Sequence, residues 1–161
     1  MDFKDFIRYH LNMEKSEKIV VYTDGGSRGN PGPAAVGVVI KDENDRLIKK
    51  YSKSIGIRTN NEAEYEAVIF ALAKIKQLFG KENLENIAIE IRMDSELVAR
   101  QLKGEYKVEE EKLFPLFIKI WNMKMDFGHI AYTEIPREKN KEADRILNEE
   151  LDGATAQSTL I

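Results

Sequence analysis

The stretch KIVVYTDGGSRGNPGPAAVGVVIK, residues 18–41, decides the fold. KIVVYTD (18–24) is rich in β-branched residues and reads as a strand. GGSRGNPGP (25–33) packs four glycines and two prolines into nine residues, a composition that excludes helix and strand interior and predicts a loop. AAVGVVIK (34–41) reads as a second strand. Working outward, DEND is a turn, and the alternating RLIKKYSKSI (46–55) predicts a third strand with a basic outer face. Short connections make these three strands an antiparallel meander.

The periodicity then changes. Between Asn61 and Phe79, the residues Tyr65, Val68, Ile69, Leu72, Ile75 and Phe79 form one helical stripe, and Gly80 is a natural stop. NIAIEIRMD (86–94) predicts a fourth strand, followed by a short helix from Ser95 to Leu102. A longer helix is predicted over Glu109–Asp126, with three glutamates suited to its N-terminus. GHIAYTEI (128–135) predicts a fifth strand. Lys141 to Leu151 predicts a last helix, with Ala143, Ile146, Leu147 and Leu151 as its stripe. The order β-β-β-α-β-α-α-β-α places the chain in the α/β class, with a mixed sheet flanked by helices.

A chain of 161 residues fits one domain with at most a short appendage. Residues 1–17 are expected to be an N-terminal extension, with Phe3, Phe6, Ile7, His10 and Leu11 near helical spacing. Residues 18–152 form the domain, and 153–161 a flexible tail. The absence of cysteine excludes a disulfide framework, a zinc–thiolate site and a cysteine nucleophile. His10 and His129 are too far apart for a local metal motif. No apolar run approaches the ~20 residues of a membrane span, and MDFKDFIRYH has no signal-peptide core. The expectation is a soluble, cytoplasmic protein with no membrane partner, and nothing demands an oligomer beyond the monomer.

Most of the 28 acids are ordinary surface groups. Four resist that reading. Asp24 and Asp94 end the two most apolar strands, where ligands enter sheet proteins. At 100° per residue, Glu62 points within about 20° of Ile69 and 60° of Tyr65, so it is expected to face inward. By the same arithmetic Asp144 points within about 20° of Leu151 and 60° of Leu147. Inward carboxylates cost several kcal/mol unless paired or bound to a cation. No inward lysine or arginine offers itself, whereas a pair of divalent cations satisfies all four. Hard oxygen ligands without a Cys or His cluster favour Mg²⁺. Two such ions turn the net charge of −3 into +1. Segments 41–58 and 100–124 each carry six Lys/Arg, against three and four acids respectively. A polyanion can therefore dock around an acidic, metal-filled centre.

Four blocks carry a resemblance: TDGGSRGNPGP (23–33), TNNEAEYEAV (59–68), MDSELV (93–98) and NKEADRILNEEL (140–151). In this order and spacing the sequence resembles the type 1 ribonuclease H family over about residues 18–152. The resemblance implies a five-stranded mixed sheet in the order 3-2-1-4-5, its first three strands antiparallel. It also implies a D-E-D-D metal site, carried over as Asp24, Glu62, Asp94 and Asp144. The implied activity is endonucleolytic hydrolysis of the RNA strand of an RNA/DNA hybrid, leaving 5′-phosphate and 3′-hydroxyl ends. Two Mg²⁺ ions, with Mn²⁺ as substitute, would activate a water and stabilise the leaving oxygen. Asp24 is expected to bridge both ions, with Glu62 and Asp94 on the nucleophile side and Asp144 on the other.

Asn30, Asn60 and Asn61 resemble minor-groove residues that read 2′-hydroxyls. Asn30 and Asn60 suit turn and helix-cap chemistry equally well. Thr59 resembles a holder of a DNA-strand phosphate, and Gly25 lets the loop backbone approach the strand closely. The sequence departs from the family in three places. The loop IPREKN (135–140) lacks a product-release histidine, for which Arg137 or Glu138 is the candidate substitute. QLKGEYKVEEEKL (101–113) is too short for a basic handle, so this is a compact form, and double-stranded RNA stays open as a second substrate. Glu96 stands where many relatives have glutamine, beside the expected substrate. A binding module without catalysis, a resolvase-like nuclease and an aspartyl-phosphate phosphatase explain these blocks less well. GGSRGNPGP also lacks the Lys-Ser/Thr of a P-loop.

Overall fold

A computed structural model of the chain describes residues 17–159, with side chains through 154. The helix expected within residues 1–17 lies almost wholly outside the described residues. The five strands are β1 (Glu17–Ser27), β2 (Gly32–Asp42), β3 (Leu47–Arg58), β4 (Ile87–Met93) and β5 (His129–Glu134). They form one sheet in the order β3-β2-β1-β4-β5. β1 pairs antiparallel with β2 and β2 with β3, whereas β4 runs parallel to both β1 and β5. This is the expected topology.

The helices are α1 (Asn60–Phe79), α2 (Glu96–Leu102), α3 (Phe114–Lys124) and α4 (Lys141–Thr159). One sheet face buries Ile19, Val21, Val38, Ile40, Ile89 and Ile91 against the α1 stripe of Tyr65, Val68, Leu72 and Ile75. The other face receives α4, whose Ala143, Ile146, Leu147 and Leu151 pack on Ala35 and Val39. With both faces covered, the central strands are nearly continuous in their burial. β3 is an edge strand, and its exposed Lys49, Lys50 and Lys53 discourage further strand pairing. No helix among the described residues is long and apolar enough to cross a membrane.

The elements differ from expectation at three points. Gly25, Gly26 and Ser27 are part of β1, paired with Val36, Ala35 and Ala34, so the loop shrinks to residues 28–31. Gly25 is a glycine because a helix backbone crowds the strand at that point. A Cβ on Gly25 would lie 2.1 Å from the Ala63 carbonyl oxygen of α1. The helix expected from Glu109 begins only at Phe114, after a single 3₁₀ turn at Glu111–Leu113. Pro115 explains the delay, since a proline fits the first turn but in a helix interior would clash with the preceding turn. Finally, α4 continues beyond Leu151 to Thr159, so helix occupies most of the segment expected as a tail from 153.

Candidate active site

Because β1 and β4 are parallel, their C-terminal ends emerge at the same edge of the sheet. Tyr22 stands beside Arg92 in that ladder, so Asp24 and Asp94 lie level, one in β1 and one just after β4. Above them α1 begins. Its close approach to Gly25 brings in a third carboxylate, and that carboxylate is Glu64. One carboxylate oxygen from each of Asp24, Glu64 and Asp94 lies within 4.8 Å of the others. Glu64 follows Ala63 against the Gly25 backbone, which helps to favour its charged form, and its carboxylate lies beside that of Asp24. Its Oε2 is buried without a partner.

The expectation for Glu62 is therefore corrected. Its Oε1 accepts the Thr59 N–H at 3.0 Å, while Thr59 Oγ1 accepts the Glu62 N–H at 3.2 Å. This is a capping box, which holds Glu62 at the helix start, away from the other acids. The signal was present in the sequence as Thr59-x-x-Glu62. Glu64 had its own signal: by helical arithmetic it lies about 40° from Val68 and 20° from Ala71, both buried. Both glutamates point toward buried neighbours of α1, and only the cap motif separates them.

Asp144 departs from expectation differently. It is exposed at the rim instead of facing inward. Its charge nevertheless acts on Asp24, and its Oδ1 accepts from Asn148 Nδ2 at 3.2 Å. Gly37 makes this possible. It pairs with Asp24 across the β1–β2 ladder, and a Cβ there would lie 2.3 Å from the Ala143 carbonyl oxygen. The start of α4 thus rests directly on β2 beside Asp24. The four acids line one open cleft of about 420 Å³, together with Arg28 and Arg137.

The electrostatics follow from crowding. Burial, then the charges of Asp94 and Asp144, push the Asp24 carboxyl from 3.8 up to about 8. Burial likewise drives Glu64 well above its ordinary value, with Asp24 and Asp94 adding to the effect. Asp94 is raised by burial, against the opposing influence of the Asn140 amide and the Arg137 guanidinium. The described lysines and arginines leave Glu64 Oε2 unpaired, and the donor set is all carboxylate oxygen. His129 starts β5, at the opposite edge of the sheet. An enclosed acceptor without a partner, in a cluster that repels its own charge, fits hard divalent cations.

Asn140, which the sequence reading passed over, is buried where α4 starts. Its Nδ2 donates to the Thr23 carbonyl at 2.9 Å, and the amide also reaches Asp94. It ties the ends of β1 and β4 to α4. Its signal was its place just before a helix whose fourth residue is an acid.

The expected substrate residues cluster around the α1 N-terminus. Asn30 Oδ1 accepts the Asn60 N–H at 3.0 Å, and Asn60 Oδ1 accepts the Ser27 N–H at 3.0 Å, locking the glycine-rich hairpin to the helix. Asn61 Nδ2 donates to Glu110 at 2.8 Å. Thr59 is the N-cap. Glu96 accepts from Tyr106 Oη at 2.9 Å and pairs with Arg100. Arg137 lines the cleft, whereas Glu138 is exposed outside it. Arg28 reaches across to α4, its guanidinium 2.6 Å from Asp152.

A mixed sheet in this order, with carboxylates gathered where its parallel strands end, defines the ribonuclease H-like class. The sequence profile of a family described as reverse transcriptase-like matches residues 22–149. The chain is 37% identical over 141 residues to the ribonuclease HI of Halobacterium salinarum, covering 88% of this chain and 68% of that protein. The crystal structure of LC11-RNase H1 in complex with RNA/DNA hybrid is similar with a TM-score of 0.82. The two are 48% identical, and the match covers 85% of this chain and 99% of that one. A bifunctional protein of Mycobacterium tuberculosis is 37% identical over 142 residues, 88% of this chain but 37% of that protein's length. The chain thus spans little more than a third of its mycobacterial relatives. The chain belongs to the ribonuclease H type 1 family.

Proposed function

We propose that the chain is an endoribonuclease that hydrolyses the RNA strand of RNA/DNA hybrids, leaving 5′-phosphate and 3′-hydroxyl ends. The convergence of Asp24, Glu64 and Asp94 within 4.8 Å, with Asp144 at the rim, carries the reading. The solved relative in complex with an RNA/DNA hybrid supports the substrate. All four acids come from one chain, which supports a monomer as the working unit. A chain without cysteine suits a cytoplasmic setting.

Asp24, Glu64, Asp94 and Asp144 would hold two divalent cations, Mg²⁺ or Mn²⁺. When bound, these supply an activated water and neutralise charge on the leaving 3′-oxygen. Asp24 is the central holder, flanked by Glu64 and Asp94 on one side and Asp144 on the other. Asn140 fixes the Asp94 carboxylate, and Gly25 N–H orients Glu64. The Asn30 and Asn60 backbones, the Asn61 amide and the α1 N-terminus face the substrate, where amides exchange hydrogen bonds with 2′-hydroxyls and N–H groups with phosphate. Gly25 seats α1 and its Glu64 against the end of β1, and Glu96 with Tyr106 borders that surface. Arg137, in the cleft, is better placed than Glu138 to meet the product phosphate. Residues 103–110 between α2 and the 3₁₀ turn contain no helix, which supports the compact form and extends the reading to double-stranded RNA.

A cleavage panel tests this: hybrid, double-stranded RNA, single-stranded RNA and double-stranded DNA, with Mg²⁺, Mn²⁺ or EDTA. Hybrid cleavage should need the metal and fall by orders of magnitude in Asp24→Asn. Hybrid cleavage that survives EDTA, or a folded Asp24→Asn variant as active as the parent, would overturn the assignment.

A further inference from the structure

Glu109, Glu110 and Glu111 suit a helix N-terminus by sequence, yet the helix starts at Phe114 and leaves them for another use. Glu110 opens the 3₁₀ turn, and its side chain does not cap that turn. Instead its Oε1 accepts a hydrogen bond from Asn61 Nδ2 at 2.8 Å, across 49 residues of sequence. A buried polar chain brings the carboxylate there. Tyr65 Oη donates to Gln101 Oε1 at 2.7 Å, and Gln101 Nε2 donates to the Lys107 carbonyl at 3.0 Å. Tyr65, Gln101 and Leu113 are all buried. The segment between α2 and α3 is thus pinned at Lys107 and at Leu113, with Glu110 midway, beside the first turn of α1. From there its charge adds to the burial that raises the Tyr65 hydroxyl.

A carboxylate on the side that meets a nucleic-acid strand repels phosphate. What it supplies in exchange is orientation. A carboxylate accepts and cannot donate, so the Asn61 amide turns its nitrogen toward Glu110. A hydrogen bond to an ionised acceptor is also the stronger kind. Oδ1 then becomes the edge of Asn61 left for a duplex. The difference matters in a minor groove, where the bases offer mainly acceptors, N3 of adenine and O2 of thymine. An amide with its nitrogen turned outward would bond to any duplex. One with its oxygen turned outward needs a donor, which the ribose 2′-hydroxyl has and deoxyribose lacks.

We propose that Glu110 is a positioning residue that sets sugar specificity: it locks Asn61 with its carbonyl toward the strand, so that a 2′-hydroxyl donor is required there. The inference rests on the hybrid-cleaving reading above and adds to it the residue that enforces ribose at one position.

The test uses an RNA/DNA hybrid in which a single 2′-fluoro ribose is walked across the positions around the cut. Fluorine can accept but cannot donate. In the parent, one position away from the scissile link should lose about tenfold in cleavage rate, the worth of one hydrogen bond. Glu110→Ala and Asn61→Ala, checked for folding by circular dichroism, should each shrink that penalty below about threefold. The double variant should behave as Asn61→Ala alone. Glu110→Lys gives the sharpest contrast, because a lysine only donates and turns the amide oxygen inward. Its hybrid binding should hold or tighten through the added charge while the fluorine penalty disappears. A penalty that persists in Glu110→Ala or Glu110→Lys, or additive losses in the double variant, would overturn the proposal. A parent that cleaves hybrid without any such position overturns this inference alone. A parent that cleaves no hybrid overturns the reading beneath it as well.

Discussion

Gly37 lies directly opposite Asp24 in the β1–β2 ladder, and the backbone of Ala143 occupies the space where its side chain would be. The distance between the first and last acids of the cluster is thus set by the absence of a methyl group on a neighbouring strand. Gly37→Ala should push α4 outward. We expect a loss of about 1–3 kcal/mol and at least a tenfold fall in hybrid cleavage, measured by denaturation and initial rates. Gly153 on the same helix meets nothing within 4 Å, so Gly153→Ala should hold activity and stabilise by up to ~1 kcal/mol.

Glu62 and Glu64 should separate cleanly. Glu64→Gln is expected to remain folded and lose hybrid cleavage by a hundredfold or more. Glu62→Ala should keep most of the activity and lose about 1 kcal/mol through the broken cap. Equal losses of activity in the two variants would contradict the division of roles.

The crowded carboxylates should make the metal-free protein less stable than its own knock-out. Asp24 has a folded pKa of about 8, against 3.8 in the unfolded chain. Its contribution to stability is full below about pH 4 and is lost as pH rises towards 8. In EDTA, Asp24→Asn should raise the melting temperature, more at pH 8 than at pH 5. Adding Mg²⁺ or Mn²⁺ should raise the melting temperature of the parent and much less that of the variant.

The opposite sign is expected at Glu90 on β4. Hydrogen bonding to Arg92 and then Lys18 lowers its carboxyl from 4.5 to about 2, despite some burial. This contribution is present above about pH 4.5 and fades as pH falls towards 2. Glu90→Gln should therefore cost stability at pH 7 and nearly none at pH 2, read by thermal melts across that range.

Arg137 should act on product rather than on folding. It is exposed, its backbone carbonyl accepts the Asn140 N–H at 3.0 Å, and its charge reaches Asp94. Arg137→Ala is expected to slow multiple-turnover cleavage several-fold and leave the single-turnover rate closer to the parent's. Equal effects on both rates would remove it from product release.

The five strands were legible from their own apolar patterns, and their order in the sheet came with the resemblance of the four blocks. Strand ends were less so. The run GGSRGNPGP looks like loop by composition, but Gly25 and Gly26 pair with Val36 and Ala35, and the approach of Ala63 explains why the first of them is glycine. Asp24 and Asp94 were legible because an acid ending an apolar strand breaks a local rule. Glu64 was not isolated, because α1 is buried around so much of its girth that glutamates about 160° apart both point toward apolar neighbours, and only the cap motif Thr59-x-x-Glu62 tells them apart. Asp144 was found by an argument about inward direction, whereas it reaches the cluster from the rim, carried there by the tight seat of α4 on Gly37.

The clasp between Arg28 and Asp152 places a fastening three residues beyond the segment that matches the family. A chain shortened to residue 149 would retain the four acids of the cleft and the Arg28–Asn148 contact, yet lose the ion pair to Asp152. The buried Leu151, which packs with Ala35 and Leu147, also lies past that boundary, so the recognised segment stops short of part of the seat of the last helix.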